Sequence, residues 1–125
     1  MSEGSGRERR INERYDVLFS VDCSSGDTFL FSYIRNISEM GIFVSTHDPM
    51  PIGTPLTLRF APGGGPPLEL TGDVVWINPY RPGGDNLNPG MGVRFRELTA
   101  EQRERIVEIV RTIAYLHGDP PSQPD

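Results

Sequence analysis

Apolar side chains recur at every second position along most of this chain, in short runs broken by glycine and proline. A period of two puts alternate residues on opposite faces of an extended strand, so these runs predict β-strands with one face turned inward. Tyr15, Val17, Phe19 and Val21 share a face against Asp16, Ser20 and Asp22, with Leu18 as the exception. Ser24-Ser25-Gly26-Asp27 reads as a turn cluster. Thr28 to Arg35 is a second strand, apolar on both faces through Phe29, Leu30, Phe31, Tyr33 and Ile34, which suits a central position. Ile42-Phe43-Val44 forms a third, and Leu56, Leu58 and Phe60 alternate with Thr57 and Arg59 as a fourth. The fifth, Leu68 to Ile77, changes phase near Gly72-Asp73, as at a bulge or barrel corner. Met91, Val93 and Phe95 alternate with Gly92, Arg94 and Arg96 as the sixth.

Pro62-Gly63-Gly64-Gly65-Pro66-Pro67 and the polar stretch from Asn78 to Gly90 are loops between these strands. The period changes once, near the end. Thr99 with Gln102 fits a capping box, and Ile106, Ile109, Val110, Ile113 and Leu116 fall on one stripe at helical spacing. Gly118 is a natural stop. The expected fold class is all-β: a six-stranded antiparallel β-barrel with a C-terminal α-helix as a lid. Closure removes the edges that an open six-stranded sheet would expose.

With 125 residues the chain suits one compact domain. Residues 1–14 hold little apolar surface and read as a flexible arm, 15–117 as barrel plus helix, and 118–125 as a disordered Pro-rich tail. The opening MSEGSGRERR lacks an apolar h-region and no apolar run approaches the ~20 residues that span a bilayer. A single cysteine, Cys23, makes no internal disulfide. A cytoplasmic protein without membrane insertion is expected.

The formal net charge of −5 argues against duplex nucleic acid as partner, and no basic stripe with interleaved aromatics supports a single-strand binder. All twelve basic residues are arginine, and Arg7, Arg9, Arg10 and Arg14 crowd the arm. An enzyme is not expected. His47 and His117 are far apart, metal-ligand spacings such as HxxxH or CxxC are missing, and no GxSxG, Walker loop or dinucleotide fingerprint occurs. Cys23, at a strand end, reads as an inert small hydrophobe.

Two constellations remain. Arg10 and Arg14, within RRINER, are four residues apart, so a curled arm brings both guanidinium groups to one ligand. Asn36-x-Ser38-x-x-Gly41 sits at a strand junction. There an amide and a hydroxyl can meet a base edge, and glycine admits close approach of a planar ring. Arginine reads guanine O6 and N7 with two parallel hydrogen bonds, so the pair suits a ligand with phosphates and purine edges. Trp76, in VVW, reads as a core residue rather than a stacking platform.

RxxxR followed by (D/N)xSxxG resembles the PilZ domain family, the bacterial receptors for cyclic di-guanylate (cyclic di-GMP). GMGVRF at Gly90–Phe95 and VVW at Val74–Trp76 resemble that family's closing and fifth strands, and the likeness covers roughly residues 9–116. The resemblance implies a stand-alone cyclic di-GMP receptor or adaptor that changes its surface on binding and signals to a protein partner, as yet unidentified. It implies that Arg10 and Arg14 clamp phosphates and guanine faces, that Asn36 and Ser38 bond a guanine edge, and that Gly41 leaves room at the barrel surface. Arg9 stands where an arginine resembles members that hold an intercalated ligand pair. The alternative is a protein-interaction adaptor on the same fold that leaves the nucleotide site unused. The helix stripe suits a lid or a dimer face, so monomer and homodimer both stay open.

Overall fold

Six strands close on one another in the computed structural model, which describes residues 13–62, 65–83 and 88–116. They are β1 (Tyr15–Ser25), β2 (Thr28–Ile37), β3 (Gly41–Ser45), β4 (Pro55–Phe60), β5 (Leu68–Asn78) and β6 (Gly90–Arg96). The order around the closed barrel is β1-β2-β3-β6-β5-β4, and all neighbours are antiparallel. The expected strand count, closure and terminal helix are all present. The first turn is tighter than the cluster suggested, because β1 runs on to Ser25 and only Gly26-Asp27 separates it from β2. Gly26 takes a φ of +61°, a left-handed conformation that glycine adopts without steric cost.

Inward-facing residues fill the barrel: Val21, Cys23, Ile34, Leu58, Leu70, Val74 and Met91 are buried in one cluster. Helix α1 (Ala100–Leu116) adds Ile106, Val110, Ile113 and Ala114 to that cluster. Its start is fixed as the sequence implied. The Thr99 N–H donates to Gln102 Oε1 at 2.8 Å, and the Gln102 N–H donates to Thr99 Oγ1 at 3.0 Å. Gln102 Nε2 also donates to the Glu69 carbonyl and Arg105 Nη2 to the Pro66 carbonyl, which ties the first turns of α1 to the approach to β5. Leu116 departs from the expected stripe. It is 75% exposed, and Ala114 is buried instead.

Two strands change phase, and both changes matter for function. Inward positions on β2 are even-numbered as far as Ile34, so unbroken alternation would turn Asn36 inward. The β2–β3 register slips between Ile34 and Asn36, leaving Arg35 as the extra residue. Beyond that bulge Ile37 is fully buried and Asn36 comes to the outer surface. On β5 the register against β6 slips between Val74 and Trp76. The bulge sits two residues beyond the expected Gly72-Asp73 corner. It turns Ile77 toward the core and Trp76 outward.

β2 lies between β1 and β3, but its outer face is not covered. Phe29, Phe31 and Tyr33 are exposed on its outer face, because α1 packs with the interior cluster and no other described element lies over this strand. The proposed tail (118–125), His117 and the arm up to residue 12, with Arg9 and Arg10, lie outside the described residues.

Candidate functional site

The turn between β2 and β3 is built around one hydroxyl. Ser38 Oγ accepts the Met40 N–H at 3.1 Å and the Gly41 N–H at 3.2 Å, while the Ser38 N–H donates to the Gly41 carbonyl at 2.9 Å. Ser38 is fully buried, and this network satisfies it. The Met40 carbonyl accepts the Phe95 N–H at 2.9 Å, which anchors the turn to β6.

Arg14 enters this turn from the end of the arm. Its Nε donates to Asn36 Oδ1 at 2.6 Å and its Nη1 to Ser38 Oγ at 3.3 Å. Four of the six candidate residues, Arg14, Asn36, Ser38 and Gly41, are therefore joined by hydrogen bonds. Partial burial of the guanidinium pulls the Arg14 pKa down from its ordinary value. Its bonded partners are a neutral amide and a neutral hydroxyl. Among the described residues no carboxylate lies within ion-pair distance of it. Because arginine stays protonated at any physiological pH, the site holds a partly desolvated positive charge with no counter-charge among the described residues.

Gly41 lies beside this group, but its lack of a side chain has a different cause from the one expected. A Cβ there would come within 2.2 Å of the Val93 carbonyl oxygen, so glycine is required by the close approach of β3 to β6. It still lines the adjoining cavity.

That cavity, about 500 Å³, opens on the outer face of β3, β6 and β5, with Arg14 and Asn36 at its rim. The strand register explains its shape. Outward positions on the central strand β6 are Gly90 and Gly92, flanked by Ser45 and Phe43 on β3 and by Asn78 and Trp76 on β5. With no side chain at Gly90 or Gly92, Phe43 and Trp76 reach across the strand there, their ring centroids 5.6 Å apart. Trp76 is 53% exposed and lines the cavity, which corrects the expectation of a core residue. Arg94 lines it too, next to Gly41 in the register. Asp73, opposite Arg94, is held instead by Arg96 Nε at 3.1 Å, and Arg94 has no ion pair among the described residues.

The site thus combines two guanidinium groups without an ion pair among the described residues, an amide and an aromatic wall. Phe43, Trp76 and Arg94 were missed as site residues, and for Trp76 the available signal was the phase change in β5. Among the described residues no three His, Cys, Asp or Glu side chains come together to hold a metal ion, and no helix is long and apolar enough to cross a membrane. Burial, reinforced by Asp22, pushes the Cys23 thiol up to about 12, so it is not a nucleophile at neutral pH.

The PilZ domain pattern matches residues 8–112 of this sequence. In fold the chain is similar to the inhibitor of motility MotI/DgrA of Bacillus subtilis, with a TM-score of 0.68 at 19% identity over 84% of this chain. It spans 50% of the length of that protein. It is also similar to the PilZ domain of YcgR from Escherichia coli, solved with cyclic di-GMP, with a TM-score of 0.66 at 12% identity, covering 83% of this chain and 90% of that one. A third likeness is the PilZ domain of CeSA from a cellulose-synthesizing bacterium, with a TM-score of 0.58 at 15% identity, covering 85% of this chain and 99% of that one. No curated protein matches the sequence. That pattern covers well over half of the sequence, and the chain belongs to the PilZ domain family, whose members are regulatory receptors and adaptors.

Proposed function

We propose that this protein is a receptor for cyclic di-GMP that transmits binding to a protein partner. The observation that carries the reading is the Arg14–Asn36 pair lining an aromatic-walled cavity, with no carboxylate paired to Arg14 among the described residues. A cyclic dinucleotide supplies the two things such a site lacks, an anion and a planar ring. Arg14 meets a phosphate or the O6 and N7 edge of guanine with its planar fork, and Asn36 bonds the same base edge. The exposed face of Trp76 offers a surface for stacking, and Arg94, beside Gly41 in the register, adds positive charge.

Ser38 acts differently from Asn36 in this proposal. Its hydroxyl is fully buried and already holds the turn, so it positions Arg14 rather than touching the base. Arg10 stands four residues before Arg14 and closes on the ligand as the arm, residues 1–14, folds over the barrel. Arg9 extends the contact to a second, intercalated ligand molecule. Ordering of the arm changes the surface that a partner meets, which is a switch and not catalysis.

Calorimetric titration of the full chain with cyclic di-GMP tests the proposal. Saturable heat in the wild type, lost in Arg14→Ala and Arg10→Ala with folding intact, is the expected result. A flat isotherm for folded wild-type protein overturns it.

A further inference from the structure

Near the β1–β2 turn, β1 is paired with β4 from Asp22 to Ser24, whereas β2 extends past β3. β3 pairs with β2 only from Tyr33 onward, so Thr28 to Ser32 have no strand on that side among the described residues. Ser25 and Thr28 flank the two-residue turn, which makes them a hydrogen-bonded pair. The antiparallel alternation then directs Cys23–Leu30 and Val21–Ser32 bonds inward across the hairpin. It leaves the N–H and C=O groups of Phe29 and Phe31 pointing at the open edge.

The same two residues carry the most exposed large apolar side chains of the barrel, Phe29 at 79% and Phe31 at 77%. Edge strands are ordinarily guarded by charge, proline or a bulge. The segment Thr28-Phe29-Leu30-Phe31-Ser32 has no charged residue and no proline, and the β2 bulge lies beyond it at Arg35.

We propose that this edge pairs with the same edge of a second copy of the chain. The sequence is self-complementary about Leu30. An antiparallel twofold through that residue sets Phe29 opposite the partner's Phe31 and Thr28 opposite the partner's Ser32. Both phenylalanines then fall at hydrogen-bonded positions, and their rings form cross-strand aromatic pairs on the outer face. No like charges meet, although each copy carries a net charge of −5. The register is bounded, because β3 occupies the edge from Tyr33 and the turn ends it at Asp27. Rings side by side on one sheet face bury only part of their area. The contact falls below the ~1,200 Å² of a standard interface, so the dimer is weak and concentration-dependent.

Sedimentation velocity of the full chain from about 10 µM to about 1 mM tests this, since each tenfold of concentration spans ~1.4 kcal/mol of affinity. The expected result is a reversible shift from monomer toward dimer. Phe31→Lys places a charge on the stripe, and Phe29→Pro removes an edge-facing N–H that the free chain does not use. Each weakens association by about tenfold or more. In the wild type, hydrogen exchange at the Phe29 and Phe31 amides slows as concentration rises, while Leu30, already bonded to β1, does not change. A monomer at every concentration, a dimer that survives either substitution, or concentration-independent exchange at Phe29 and Phe31 overturns the proposal.

Discussion

Arg14 Nε and Asn36 Oδ1 lie 2.6 Å apart, although 22 residues separate them in sequence. This bond unites the two motifs. It also presents a guanidinium that lines a cavity and has no carboxylate partner among the described residues. Arg14→Lys separates shape from charge. Lysine keeps the positive charge but offers no planar fork, so cyclic di-GMP affinity is expected to fall by about tenfold or more, equivalent to ~1–3 kcal/mol. The melting temperature of the free protein should stay within a few degrees, because the bonds lost are exposed at least on one side and worth about 1 kcal/mol together. Titration calorimetry and thermal melts measure the two effects separately. Retention of full affinity in the lysine variant would show that charge alone suffices.

Trp76 is the sole tryptophan, and it sits half-exposed on the cavity wall beside Phe43. Its fluorescence is therefore an intrinsic reporter of occupancy. Addition of cyclic di-GMP should quench the emission or shift it to the blue as a base covers the indole. Trp76→Ala should weaken binding by ~1–3 kcal/mol per stacked base, and Trp76→Phe by less. Unchanged emission at saturating ligand would remove Trp76 from the contact.

Gly41 and Gly92 both line the cavity, yet they should respond oppositely to the same substitution. A Cβ on Gly41 would fall 2.2 Å from the Val93 carbonyl oxygen, a backbone atom that cannot step aside alone. Gly41→Ala is expected to cost about 2–3 kcal/mol of stability in urea unfolding, as overpacking does. At Gly92 the nearest atoms, Cβ and Cε3 of Trp76, stand at 3.4 Å, an ordinary contact. Gly92→Ala should fold with a change of ~0.5 kcal/mol or less and reveal itself in ligand affinity, by crowding the cavity floor.

The barrel was legible in the sequence because period two marks all six strands, even those with a bulge, and changes to helical spacing only once. The capping box at Thr99 and Gln102 was equally plain, since both partners are local. Alternation alone gives the wrong face beyond a single inserted residue, and at Trp76 it led to an expectation that the structure corrects. A bulge at Arg35 exposes Asn36, and a bulge at Val75 moves Trp76 from the interior to the cavity. Alternation read without register cannot tell which side of such an insertion faces inward. The motif residues Asn36, Ser38 and Gly41 were visible as a string, but their separate duties were not. Burial distinguishes Ser38 as a brace, and only the inter-strand distance shows why Gly41 tolerates no side chain.

Cys23 carries a pH signature of the folded barrel. Burial among Val21, Leu58 and the rest of the core, with Asp22 adjacent, raises its thiol from an ordinary value near 9 to about 12. The neutral thiol is thus favoured by folding. The unfolded chain ionises first, so between pH ~9 and ~12 the unfolded state binds fewer protons and stability falls as pH rises. The slope attributable to this group is about 1.4 kcal/mol per pH unit within that window, with no contribution below it. Cys23→Ala loses some packing at every pH but should remove this slope. The difference between wild-type and variant unfolding free energies, followed from pH 8 upward, isolates it. In parallel, a thiol reagent at pH 8 should label unfolded protein quickly and native protein only through opening of the barrel. Rapid labelling of the native state, or parallel stability curves for the two proteins, would place Cys23 outside the core.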